Sequence, residues 1–113
     1  MSIKNNCTFI GNLVEEPKTR DIGSAESVQC LDSSIAINRK FKNRQGQVVE
    51  ETDFIPFVAY GKASELIAKH TSKGHQIALQ GEMRLEKWQD KETGGNRSKL
   101  KLRVENFQFL NNK

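Results

Sequence analysis

A chain of 113 residues, 35% hydrophobic and 28% charged, can bury one core without disulfides or metals, and it holds no apolar run approaching the ~20 residues of a membrane-spanning helix. Eighteen basic residues against fourteen acidic ones give a formal net charge of +4, a mild bias toward polyanions whose placement matters more than its total. The start, MSIKNNCTFIGNL, lacks the charged, apolar and small-residue succession of a secretory signal, so a cytoplasmic location is expected.

In chain order, residues 3–13 alternate, with Ile3, Cys7 and Phe9 against Lys4, Asn6 and Thr8, which predicts a strand. EEPKTRDIGSAES then supplies polar, turn-forming residues for a loop. Val28 to Phe41 resumes strand character, and its phase breaks near Asp32-Ser33-Ser34, which predicts a bulge or bend there. KNRQGQ turns the chain into a further strand, Glu51 to Tyr60, making a long antiparallel hairpin. In KASELIAKHTSKG the period changes: Ala63, Leu66, Ile67 and His70 share one helical stripe and Gly74 is a natural stop. His75 to Trp88 and Lys99 to Leu110 are two more strands, joined through the polar tip DKETGGNRS. Three strands, one helix, two strands is the order of the OB-fold, an all-β, five-stranded Greek-key barrel, expected here over residues 1–113 as one domain. Cys7 and Cys30 lie in alternating segments with no CxxC, and are expected to be buried free thiols.

The strand TDFIPFVAY places Phe54, Pro56, Val58 and Tyr60 on one face and Ile55, Phe57 and Ala59 on the other. A narrow five-stranded barrel takes only one set, and Ile55, Phe57 and Ala59 suit it, leaving Phe54 and Tyr60 outside. By the same parity Met83 and Leu85 point inward while Arg84, Glu86 and Trp88 point out. With Phe41 in RKFK, four aromatics are outward-facing or loop-borne, beside Arg39, Lys40, Lys42 and Arg44 on one hairpin and Arg84, Lys87, Lys91 and Arg97 on the other. Rings interleaved with cations are what a single-stranded nucleic acid needs, since bases stack on the rings while Lys and Arg follow the phosphates. The alternation Lys99, Lys101, Arg103 reads equally as the solvated face of a strand whose Leu100, Leu102 and Val104 enter the core. Catalysis finds little support: His70 and His75 flank no nucleophile, and Glu15-Glu16, Glu50-Glu51 and Asp90 are scattered. Gly11 and Gly94-Gly95 form no phosphate-cradling loop, and no metal or cofactor is expected.

The segments FIGNL (9–13), IAINRKF (35–41), ETDFIPFVAYGK (51–62), SKGHQIALQGEMR (72–84) and KWQDKETG (87–94) resemble the bacterial-type single-stranded DNA-binding proteins over essentially the whole chain. The resemblance implies a non-catalytic, sequence-independent binder that coats single-stranded DNA in replication, recombination and repair, and that is nucleoid-associated. It implies a homotetramer that wraps the strand around its outside. The family's stacking aromatics map onto Phe41, Phe54, Tyr60 and Trp88, and its basic contacts onto Lys62, Lys73, Arg84 and Lys87. Three departures stand out. Phe41 and Phe54 occupy positions where members often carry tryptophan, which implies weaker stacking. Ile55-Pro56 follows Phe54 where His-Arg is common, at a position associated with tetramer contacts. Members usually continue into a flexible linker and an acidic tip that recruits replication and repair enzymes; this sequence ends at QFLNNK, so the residues present carry no signal for those partners. Two rival readings share the barrel: an RNA-binding module and a protein-interaction module. Association is expected through the first strand, paired with its twofold mate.

Overall fold

The computed structural model describes residues 4–21 and 28–110; Ile3 of the first predicted strand, part of the following loop and the last three residues lie outside them. The elements are β1 (Cys7–Leu13), β2 (Arg20–Asp21), β3 (Gln29–Lys42), β4 (Val48–Tyr60), α1 (Lys62–His70), β5 (Gln76–Gln89) and β6 (Asn96–Phe109). The strands follow one another laterally as β1-β5-β6-β4-β3-β2, and β1 also pairs with β3, which closes five of them into a barrel. All pairings are antiparallel except β4 with β6. This is the OB-fold that the element order predicts.

Alternation builds the core. Leu31 and Ile35 of β3, Phe57 and Ala59 of β4, Ile77 and Leu79 of β5, and Leu102 and Val104 of β6 point inward, joined by Leu13 of β1 and Ile67 of α1. Closure brings backbones very near one another at two glycines. A Cβ on Gly11 would meet the Ala36 carbonyl oxygen at 2.7 Å, where β1 crosses β3. A Cβ on Gly81 would meet the Arg103 carbonyl oxygen at 1.9 Å, and the β5–β6 register shifts by a bulge at this point. Any side chain there would push the two strands apart.

Several local expectations are corrected. The bulge expected near Asp32-Ser33-Ser34 is absent: β3 and β4 stay in register from Cys30↔Tyr60 to Lys42↔Val48, and the bend lies instead at Gln80/Gly81. Ser33 keeps the inward phase, opposite Phe57, where a small side chain leaves room for the ring. Within the stretch expected to be loop, Arg20 and Asp21 pair with Cys30 and Gln29 as β2. A salt bridge from Arg20 to Asp32 at 2.7 Å and a hydrogen bond from Gln29 Nε2 to Asp21 fasten this short strand.

The helix ends at His70, with Thr71 capping it. Its buried residues are Ser64 and Ile67, and His70, expected on the apolar stripe, is exposed, its ring 5.7 Å from that of Phe109. Ser64 tolerates burial because its hydroxyl donates to the Gly61 carbonyl at 2.7 Å. Both cysteines are free, Cys30 buried and Cys7 only half so, since β1 is covered on one side alone. Leu85 and Leu100, expected in the core, are 51% and 55% exposed. They face each other on β5 and β6 after the barrel has ended, where the two strands continue as a projecting hairpin.

Candidate nucleic-acid interface

The outer face of β5, β6, β4 and β3 carries the residues that the inward set leaves behind. Strand register aligns them: Trp88 lies opposite Arg97, Glu86 opposite Lys99 and Arg84 opposite Lys101, while Val58 joins Arg103 on one side and Asp32 on the other. Phe54, Pro56, Val58 and Tyr60 occupy the same side of β4. Three of the four predicted rings, Phe54 (64% exposed), Tyr60 (39%) and Trp88 (49%), therefore share this sheet face and reach solvent. Phe54 and Tyr60, six residues apart on one strand, are roughly 20 Å from each other.

Phe41 is exposed too, but on the other side of its hairpin. It pairs with Val49, in phase with Ile35 and Ile37, whereas Phe54 pairs with Ala36. Beyond the barrel that inner side is open, and the Arg39 guanidinium carbon lies 5.8 Å from the Phe41 ring centroid. Arg39 is also bound to Glu51 at 3.1 Å and Asp53 at 3.0 Å. Its neighbours Lys40, Lys42 and Arg44 are exposed, near the turn where the Asn43 carboxamide oxygen accepts from the Gln45 and Gln47 amides.

On the second hairpin Trp88 borders an open cleft of about 550 Å³ lined by Lys87, Asn96, Arg97 and Ser98. Arg97 is tied to Asp90 at 3.3 Å. The Glu92 amide donates to the Asp90 carboxylate, and with the Thr93 amide and Arg97 it holds that carboxyl below the usual range. Lys87 and Lys91 are exposed. At the other end of the face Arg103 lies over Tyr60, its guanidinium carbon 5.5 Å from the ring centroid, and the two line a smaller cleft of about 170 Å³ with Val58, Arg84 and Lys101. Lys62 opens α1 two residues after Tyr60, and Lys73 is exposed in the turn before β5, where its amide donates to Glu16 at 3.1 Å.

Two features escaped the sequence. Lys101 is only 18% exposed in its side chain and is bound by Asp32 at 2.9 Å and Glu86 at 3.1 Å, so it is not a solvated strand residue. Val58 points outward but is 4% exposed. Desolvation pulls the Lys101 ammonium down, but its hydrogen bonds to Asp32 and Glu86 reverse this and raise its pKa above the ordinary lysine value. The second feature is Arg103, whose place over Tyr60 depends on β4 and β6 lying side by side. Among the described residues no group of three or more His, Cys, Asp and Glu could hold a metal ion, and no helix is long and apolar enough to cross a membrane.

The class that the fold defines is an OB-fold barrel, here with three exposed rings and interleaved cations on one outer face. Residues 4–110 match the model of the single-strand binding protein family, and the chain belongs to that family of non-enzymatic binding proteins. It is 31% identical over 109 residues to the single-stranded DNA-binding protein of Helicobacter hepaticus, covering 96% of this chain and 62% of that protein. It is 32% identical over 110 residues to single-stranded DNA-binding protein 1 of Clostridium acetobutylicum, with 96% of each covered. The chain thus spans less than two thirds of the Helicobacter relative and nearly all of the Clostridium one. A solved Plasmodium falciparum SSB in complex with ssDNA shares the fold, with a TM-score of 0.83 at 22% identity over 98% of this chain and 97% of that one.

Proposed function

We propose that the protein binds single-stranded DNA without sequence preference and coats exposed strands during replication, recombination and repair, with residues 1–113 acting as one binding domain. The observation that carries this reading is the alignment of Phe54, Tyr60 and Trp88, all exposed, on one sheet face interleaved with arginines and lysines. Bases stack on those three rings and on Phe41 at the hairpin, while Lys40, Lys42, Arg44, Lys62, Lys73, Arg84 and Lys87 follow the phosphates. Arg39 joins them only by giving up Glu51 and Asp53. Supporting a homotetramer, among the described residues β1 pairs with β5 from Cys7 to Asn12 but reaches β3 only at Asn12 and Leu13, which leaves an edge there for a second copy. Two free cysteines suit the reducing cytoplasm, where the nucleoid would hold the protein.

The test is quenching of Trp88 fluorescence by a dT oligomer at low and high salt, with duplex DNA and poly(U) as competitors. Strong quenching by dT, relieved by salt and little affected by duplex or poly(U), is the expected result. Preference for poly(U), or no binding of dT by any method, would overturn the reading. Light scattering that shows a monomer at micromolar concentration would overturn the tetramer.

A further inference from the structure

A line of ion pairs crosses the aromatic face diagonally. Asp32 of β3 accepts from Arg20 of β2 at 2.7 Å and from Lys101 of β6 at 2.9 Å, and Lys101 is held on its other side by Glu86 of β5 at 3.1 Å. Since β4 lies between β6 and β3, the lysine stem must span β4 to reach Asp32. That accounts for the burial of Val58, the outward residue of β4 opposite Asp32. By register, Trp88, Arg97, Lys99 and Phe54 fall on one side of this ridge, and Arg84, Arg103 and Tyr60 on the other.

We propose, on the basis of the DNA-binding reading above, that this ridge is a built-in brake on DNA affinity. It keeps Lys101 from phosphate and sets two carboxylates in the path of the strand. A phosphate approaching Lys101 must displace both Asp32 and Glu86, and it meets their like charge before it reaches the ammonium. The Asp32 carboxyl is held in its charged form: partial desolvation pushes it up, and the hydrogen bonds from Arg20 and Lys101 more than reverse this. The two halves of the face therefore bind the strand as separate tracks, each with its own rings and cations, and neither uses the central lysine.

The test is a cycle read by the anisotropy of a labelled dT oligomer across a series of salt concentrations. Asp32→Asn with Glu86→Gln frees Lys101, and the slope of log affinity against log salt should steepen by about 0.7, the contribution of one phosphate contact to a single strand. At about 0.1 M salt, one decade below 1 M, that is about fivefold tighter binding. Lys101→Gln in the otherwise unaltered protein should leave the slope where it is, and in the neutralised background it should take the extra slope away. An unmoved slope in the double variant overturns the proposal. So does a steeper slope that survives Lys101→Gln, which would mean that the released Arg20 or the loss of carboxylate charge is responsible, not Lys101. Thermal melts of all variants check the fold; should the double variant unfold, Lys101→Gln in the otherwise unaltered protein still tests the brake, because a slope flattened by about 0.7 would show Lys101 already on a phosphate and overturn it, whereas an unmoved slope is the expected result. Failure of the unaltered protein to bind dT at all overturns both readings, whereas normal binding with an unmoved slope overturns the ridge alone.

Discussion

Replacing Trp88 by alanine separates stacking from electrostatics. The ring is 49% exposed, so about half of the roughly 150–250 Å² that a fully buried tryptophan covers is already out of water in the free protein. At ~25 cal/mol per Å² that half contributes about 2–3 kcal/mol against an extended chain, and less against a realistic unfolded ensemble. A domain stable by ~5–15 kcal/mol tolerates such a loss. The exposed half is available to a base, and losing one base–ring stack to alanine costs about 1–3 kcal/mol, roughly 5- to 150-fold in Kd. No charge is removed, so the salt slope should not change. Anisotropy of a labelled dT oligomer, titrated across a salt series well below the melting temperature, reads both quantities. A Kd equal to that of the parent protein would refute stacking on Trp88. A slope flattened by about 0.7 would refute it differently, by showing that the loss acts through a phosphate contact.

Leu102 is completely buried and Leu100, two residues earlier on the same side of β6, is 55% exposed. Leu102→Ala should therefore cost about 2–5 kcal/mol in urea unfolding and Leu100→Ala less than about 1 kcal/mol; equal losses would show that Leu100 is covered in solution. The Asp32 carboxyl is pushed up by partial desolvation and pulled further down by Arg20 and Lys101, so its folded pKa lies below the ordinary value of 3.8. A depressed carboxylate pKa stabilises the fold fully above the unfolded value and ceases to do so as pH falls through the folded one. Asp32→Asn should thus melt below the parent protein at neutral pH and converge with it in acid, and a gap that stays constant into acid would be contrary evidence. Arg39 is already bound by Glu51 and Asp53, so Arg39→Ala should barely change the salt slope of DNA binding, while Lys42→Ala should flatten it by about 0.7; the reverse pattern would reassign the two.

Parity alone made much of this legible. Alternation in TDFIPFVAY separated Phe57 and Ala59, now in the core, from Phe54 and Tyr60, now exposed, and the same count put Trp88 outside. It misread Ser33 because a serine looks wet, while a narrow barrel needs a small residue facing Phe57. It misread Leu85 and Leu100 because alternation continues along a hairpin after the barrel has stopped, and nothing in either strand marks where cover ends. Phe41 could have been placed by counting from Ile35 and Ile37. Lys101 could not: its partner Asp32 is 69 residues away, and their meeting depends on the order of strands across the sheet. The two-residue β2 has no periodicity to read.

The same geometry explains why a net charge of +4 says little about binding. Arg20, Arg39, Arg97 and Lys101 are each bound by carboxylates of the protein itself. Within the first hairpin, Arg39 lies opposite Glu51 and Lys40 opposite Glu50, and Asp53 also binds Arg39, whereas Lys42 lies opposite Val48 and Arg44 is in the turn, so that arm is nearly neutral along its length and basic only toward its turn. On the second, Lys87 and Lys91 likewise stand toward the tip, beyond the central ion pairs. Available charge thus lies partly toward the ends of the arms and partly at the barrel, where Lys62, Lys73, Arg84 and Arg103 stand nearer Tyr60. On the proposed reading, a strand is gathered at its phosphates by these cations and held at its bases by the rings. The two contributions can then be altered separately: the exposed lysines and arginines set the salt slope, the rings set the affinity that persists in high salt, and the Lys101 ridge limits how far one adds to the other.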